Sequence, residues 1–100
     1  MNELGQDISI VMISMNEEQA IKSVLTRIQK YVPKAEIIIV DSSSDKTAEI
    51  AKEFSNVKLI KQFPPIGYGP AMSLALRSAS RNYIVTLDCD DTYPPSAIPN

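Results

Sequence analysis

Asp88 and Asp90, separated by Cys89, follow directly on the apolar run Ile84-Val85-Thr86-Leu87. Side chains alternate along a strand, so carboxylates spaced i, i+2 at its end point the same way. Two such oxygen ligands suit Mg²⁺ or Mn²⁺, hard cations that keep water and phosphate oxygens as further ligands. An isolated Asp-x-Asp fits a solvated strand-end turn equally well. Two more polar clusters share the placement: Ser14-Met15-Asn16-Glu17 and Asp41-Ser42-Ser43-Ser44-Asp45 each follow an apolar run. Each also has a local reading. Asn16 with Gln19, or Ser14 with Glu17, has the spacing of a capping box at a helix start. Ser44 or Asp45 has the type and place of a cap on the next helix. Asp41, at the very end of four apolar residues, invites a donor partner such as a base N–H or a ribose hydroxyl.

The elements that must hold these residues alternate regularly. Ile8 to Ile13 reads as a strand buried on both faces, as in a parallel sheet covered by helices. A helix follows, with Ala20, Ile21, Val24, Leu25 and Ile28 on one stripe, and Pro33 closes it. Glu36 to Val40 is a second buried strand ending at Asp41, and Ser42 to Lys46 opens a second helix that buries Ile50, Ala51 and Phe54. Val57 to Ile60 reads as a third strand, and Phe63 to Pro70 as a loop rich in Pro and Gly. A third helix is expected from about Ala71 to Ser80, with Ala71, Ala75 and Ala79 as a small-residue stripe against the sheet. Tyr83 to Leu87 is the fourth strand. Strand-helix units of this length imply right-handed crossovers, hence an α/β fold with a mainly parallel sheet and flanking helices. Ligands of such sheets collect beyond the carboxyl ends of the strands, where the three polar clusters fall.

Composition narrows the chemistry. One hundred residues make one domain with a modest core. A net charge of −2 with 44% hydrophobic residues argues against disorder. Lys and Arg form no basic block, which argues against nucleic acid as a partner. The single cysteine permits no internal disulfide and is consistent with a reducing compartment. Neither a signal-peptide layout nor an apolar run of spanning length is present, so the expectation is a soluble, cytoplasmic chain. With no histidine, a Ser-His-Asp or Cys-His nucleophile and a His-based zinc site are excluded within these residues.

Taken in order, the clusters resemble the nucleotide-sugar-binding half of a GT-A glycosyltransferase, in the large inverting family that includes dolichol-phosphate mannose synthase. The resemblance runs from Ile8 to Pro99. Ile10 to Glu18 looks like the family's opening strand and Asn-Glu signature, and Ile39 to Thr47 like its aspartate-rich second signature. Gly67-Tyr68-Gly69-Pro70-Ala71 resembles its glycine-containing loop into a helix. Asp88-Cys89-Asp90 with Tyr93-Pro94-Pro95 resembles its D-x-D segment and the proline-marked helix start. The resemblance implies a Rossmann-like nucleotide-binding half in which Glu17, the Met15 backbone and Asp41 with Ser42 hold base and ribose. Asp88 would meet the ribose or the metal's water shell, and Asp90 would bind the Mg²⁺ or Mn²⁺ that bridges the diphosphate. Cys89 takes a place usually held by Ala or Gly, as a small spacer in the nucleotide-sugar site. The donor would be a UDP- or GDP-linked sugar; the acceptor is left open, with a polyprenyl or other lipid phosphate as one candidate.

The departures from the family pattern are specific. Ile13 stands where many members have proline, and Met15 where many have an aromatic residue. The second signature is one residue short, and Thr92 replaces a glutamine of the mannose-transferring branch, which weakens the case for mannose or GDP in particular. An inverting transfer also needs a general base, or an acceptor already ionised. The family places that base downstream of the helix beginning near Ser96. Residues 1–100 are therefore expected to be the donor-binding portion of a longer enzyme, truncated after Asn100, inactive by itself and prone to self-association through an uncovered apolar face. The longer protein would work in the cytoplasm or at the cytoplasmic face of a membrane. The rival readings are a nucleotidyltransferase and a non-catalytic nucleotide-sugar-binding module. A phosphoacceptor receiver would need an acidic pair after the first strand, where Ser14-Met15-Asn16 stands. A dinucleotide-binding domain would need Gly-x-Gly-x-x-Gly there.

Overall fold

The computed structural model describes residues 6–62 and 66–87. Its elements run β1 (Ile8–Ser14), α1 (Ile21–Tyr31), β2 (Glu36–Asp41), α2 (Thr47–Ala51), β3 (Val57–Lys61), α3 (Tyr68–Ser78) and β4 (Tyr83–Thr86). The strands form one sheet in the order β3-β2-β1-β4, and every neighbouring pair is parallel. The chain adds β2 and β3 on one side of β1 and then returns to add β4 on the other. That reversal makes the carboxyl ends of β1 and β4 a topological switch point, where open α/β sheets form their ligand crevice.

Both faces of the sheet are covered, which is why the central strands read as unbroken apolar runs. Ile10 and Met12 of β1 with Ile37 and Ile39 of β2 face Ile21, Val24, Leu25 and Ile28 of α1 and Ala51 of α2. Val11, Ile38 and Val40 point the other way and meet Ala71 and Ala75 of α3. The small side chains on α3 let it lie close to the sheet, and Ala79 extends that contact as expected. Each fully buried Ile or Leu on α1 contributes about 1.5–3 kcal/mol by leaving water, so this stripe holds the helix to the sheet.

Helix ends follow local chemistry. Val32 precedes Pro33, and a residue before proline is pushed out of the helical region. Its φ of −137° ends α1, although its N–H still donates to the Ile28 carbonyl. The second helix is shorter than its apolar spacing implied, with Phe54 packing on the core from beyond its end. The third starts earlier than expected, at Tyr68, because Pro70 sits in the first turn, where no N–H partner is needed. Gly67 precedes it at φ 96°, a conformation that favours glycine.

Candidate functional site

The loop after β1 and the loop after β2 leave the sheet side by side, because Ser14 and Asp41 are paired in register at the two strand ends. The loops are fastened to each other. Asn16 adopts φ 56°, and its N–H donates to Ser43 Oγ at 2.8 Å. Its side-chain Oδ1 accepts the Ser44 N–H at 2.9 Å. The Glu17 N–H donates to Thr47 Oγ1 at 2.8 Å, and the Lys46 N–H donates to Glu18 Oε1 at 3.2 Å. Ser42 N–H closes the base of the clasp on the Ser14 carbonyl at 2.9 Å.

This clasp corrects one expectation. Neither Asn16 nor Ser14 caps the first helix: α1 begins at Ile21 with no side-chain cap, while the Ser14 hydroxyl bonds Asp41 at the end of β2 and the Asn16 side chain reaches Ser44 in the loop after it. The reading for the second helix fares differently. Asp45 Oδ1 accepts both the N–H of Thr47 at 2.9 Å and its hydroxyl at 2.5 Å, bracing the first residue of α2 from just before it, although the N-cap position, Lys46, carries no side-chain cap bond. Burial alone would raise the Asp45 carboxyl, but the Thr47 hydroxyl and N–H and the Glu18 N–H outweigh it and hold its pKa below the ordinary value.

Beneath the loops lies a polar cage. Asp41 has no exposed surface. Its Oδ1 accepts the hydroxyls of Ser14 at 2.5 Å and Ser43 at 2.6 Å, while Oδ2 accepts Lys61 Nζ at 2.8 Å and the Ser43 N–H at 3.3 Å. Burial pushes this carboxyl up, yet the Lys61 ammonium and the two serine hydroxyls more than offset that and leave its pKa lowered. The donors that Asp41 invites are thus supplied by the protein itself. Ser42 is likewise turned inward, donating its hydroxyl to the Gln62 carbonyl at 2.6 Å. For Asp41 to meet a base or ribose, one of these bonds must open, whereas Ser42 Oγ keeps its acceptor lone pairs. Met15 is 52% exposed and Glu17 half-buried, so these two present surface to solvent above the cage.

Asp88, Cys89 and Asp90 lie outside the described residues, as do Asp91 and Thr92. Among the described residues no group of three or more His, Cys, Asp or Glu is placed to hold a metal ion. What the structure does give is the approach to that segment. β4 runs parallel to β1, and the Leu87 N–H donates to the Val11 carbonyl at 3.2 Å. Sequence reasoning missed Lys61 altogether. It lies one residue past the expected third strand, Val57 to Ile60, and its pairing opposite Asp41 becomes evident only from the register of β2 with β3.

Comparison with known proteins agrees with this architecture. A dolichyl-phosphate hexose transferase of Haloferax volcanii is 45% identical over 94 residues, covering 93% of this chain and 40% of the relative. A low-salt glycan biosynthesis hexosyltransferase of the same organism is 32% identical, over 98% of this chain and 24% of its own length. The chain thus spans well under half of each of these two relatives. Among solved structures, glucosyl-3-phosphoglycerate synthase of Mycobacterium tuberculosis, in complex with Mn²⁺, UDP and glucosyl-3-phosphoglycerate, superposes with a TM-score of 0.76 at 29% identity. That match covers 92% of this chain and 37% of the synthase. Its fold is GT-A, the fold that the family resemblance implied. The family pattern described as Glycosyl transferase family 2 matches residues 9–100, spanning the clasped loops and the D-x-D segment alike, and the chain belongs to that family.

Proposed function

We propose that this chain is the donor-binding portion of a glycosyltransferase, taking a nucleoside-diphosphate sugar together with a divalent cation for inverting transfer to an acceptor. The observation that carries this reading is the clasp of the β1 and β2 loops at the carboxyl edge of a parallel sheet, beside its switch point. Such a clasp makes a rigid shelf, and a shelf held before the ligand arrives spends little binding energy on ordering. Met15 and Glu17 face the base and ribose from its upper side, and Asp41 and Ser42 support it from below. Asp90, assisted by Asp88, is the proposed ligand set for Mn²⁺ or Mg²⁺, and carboxylate oxygens suit both cations. The cation, when bound, supplies Lewis-acid stabilisation of the departing diphosphate.

The Mn²⁺ and UDP of the mycobacterial synthase support Mn²⁺ and a uridine donor as the first choice here. The name of the haloarchaeal relative supports a lipid phosphate as acceptor, which would place the longer protein at the cytoplasmic face of a membrane. Among the described residues no helix is long and apolar enough to cross one. By this reading residues 1–100 bind donor without completing transfer. Tyr83 and Ile84, exposed on β4, are the candidate surface for self-association.

Calorimetric titration of UDP and GDP with and without Mn²⁺ tests the proposal. Mn²⁺ is expected to strengthen nucleotide binding in the wild type, Asp90→Asn to remove that gain, and Asp91→Asn to keep it. Equal loss in both variants would mean a diffuse acidic patch. No loss in either would leave the D-x-D segment as an ordinary turn.

A further inference from the structure

We infer that Lys61 is a positioning residue for the nucleotide shelf: its ammonium clamps the enclosed Asp41 carboxylate and thereby sets the donor-acceptor direction of the bonds that hold the β1 loop in place. The chain of contacts is short. Lys61 Nζ donates to Asp41 Oδ2 at 2.8 Å and to the Ser43 carbonyl at 2.6 Å. Asp41 Oδ1 accepts the Ser43 hydroxyl at 2.6 Å, and Ser43 Oγ in turn accepts the Asn16 N–H at 2.8 Å.

Direction is what matters here. A serine hydroxyl has one proton to give, and an ionised carboxylate can only accept. While Asp41 stays anionic, the Ser43 proton goes to it and the lone pairs of Ser43 Oγ remain free for Asn16. A neutral acid or amide at Asp41 would be free to donate instead, and Ser43 would lose its fixed orientation. The carboxylate has no solvent contact, whereas the Lys61 side chain is 47% exposed. A surface cation thus reaches over a buried anion. Among the described residues, Lys61 is the one ionisable group bonded to Asp41; its partners Ser14 and Ser43 carry no charge. The carboxylate of a buried pair that loses its cation is strongly destabilised as an ion.

The inference builds on the nucleotide-shelf reading, and its test separates the two. Lys61→Met removes both charge and donor, Lys61→Gln keeps a donor without charge, and Lys61→Arg keeps both. Amide hydrogen exchange, read by NMR, compares Asn16 with the Met12 amide inside the β1 ladder. Lys61→Met and Lys61→Gln are expected to speed Asn16 exchange about tenfold relative to Met12, the scale of one lost hydrogen bond. They should weaken UDP binding in Mn²⁺ by a similar factor, with Lys61→Arg close to wild type. The ¹³C shift of the Asp41 carboxyl should titrate at higher pH in the two uncharged variants. Unchanged Asn16 exchange in both uncharged variants, or Lys61→Gln matching wild type on every readout, overturns the inference. Wild-type protein that binds no nucleoside diphosphate overturns the functional reading instead, and the exchange and carboxyl readouts then decide the role of Lys61 by themselves.

Discussion

Asn16 is the residue whose replacement separates backbone geometry from side-chain bonding in the clasp. It holds a left-handed conformation, φ 56°, while its Oδ1 accepts the Ser44 N–H at 2.9 Å. For an alanine that conformation costs about 1–2 kcal/mol, a cost that asparagine partly escapes and glycine does not meet. The lost bond to Ser44 adds about 0.5–1.5 kcal/mol, at the low end because water reaches the exposed amide. Asn16→Ala should therefore destabilise the fold by about 1.5–2.5 kcal/mol. Asn16→Gly loses the same bond and pays about 0.4–1 kcal/mol for a freer unfolded chain, but keeps the geometry. It should cost about 1–1.5 kcal/mol. Asn16→Asp keeps both the tolerance for this geometry and an acceptor, and should lie nearest wild type. For a domain of this size each kcal/mol moves Tm by about 4–8 °C, so thermal melts resolve the three variants. UDP affinity should follow the same ranking, Asp above Gly above Ala. Alanine and glycine variants of equal stability would refute the argument, because the left-handed turn would then carry no cost.

Acid should weaken the fold in a defined window. Asp41, Glu36 and Asp45 all have carboxyls lowered from ordinary values of 3.8, 4.5 and 3.8, so the unfolded chain binds more protons than the folded one as pH falls through that range. Their contribution is full above the unfolded values and is lost as pH drops below about 4 through the folded ones; urea midpoints measured against pH should show this decline, shallower in Asp41→Asn, and a rise in stability on acidification would contradict it. Thr47 is fully buried and its hydroxyl both accepts the Glu17 N–H and donates to Asp45. Thr47→Val keeps the shape but removes both of these bonds, and should cost about 1–3 kcal/mol in urea melts, with Thr47→Ser recovering most of it.

The elements were legible because their signals are local. Apolar runs of strand length, an amphipathic stripe from Ile21 to Ile28 and the alanines of α3 each report on a few neighbouring residues. Helix starts were the weak point, for a physical reason. Asn16, Ser14, Ser44 and Asp45 are all residues whose short polar side chains satisfy nearby backbone, so sequence spacing pairs them with their own helices. In the fold only Asp45 does this. Asn16 and Glu17 instead find partners in Ser44 and Thr47, with separations of 28 and 30 residues. A capping-box spacing carries no information about a neighbour that far along the chain. Glu36 shows the same limit. It reads as the start of a strand, yet its carboxylate gathers the Ser9 hydroxyl and both the N–H and hydroxyl of Ser80, tying the α3–β4 turn to the sheet.

The difference between Asp41 as read and Asp41 as folded carries the wider point about such sites. A carboxylate at the end of a buried strand needs donors, and that need is readable from sequence. Whether a ligand or the protein supplies them depends on what stands one strand over. Here β3 places Lys61 in register with Asp41, so the same hydrogen-bonding demand that invites a nucleotide is met from within. Met15 and Glu17, on the loop after β1, keep surface open to solvent instead. Buried polar groups that are fully satisfied rigidify what they touch. The described residues bear this out, with no buried side-chain polar atom left without a partner. In this chain Asp41 accepts from Ser14 at the end of β1 and from Ser43 in the loop after β2, so one buried carboxylate ties the two loops together.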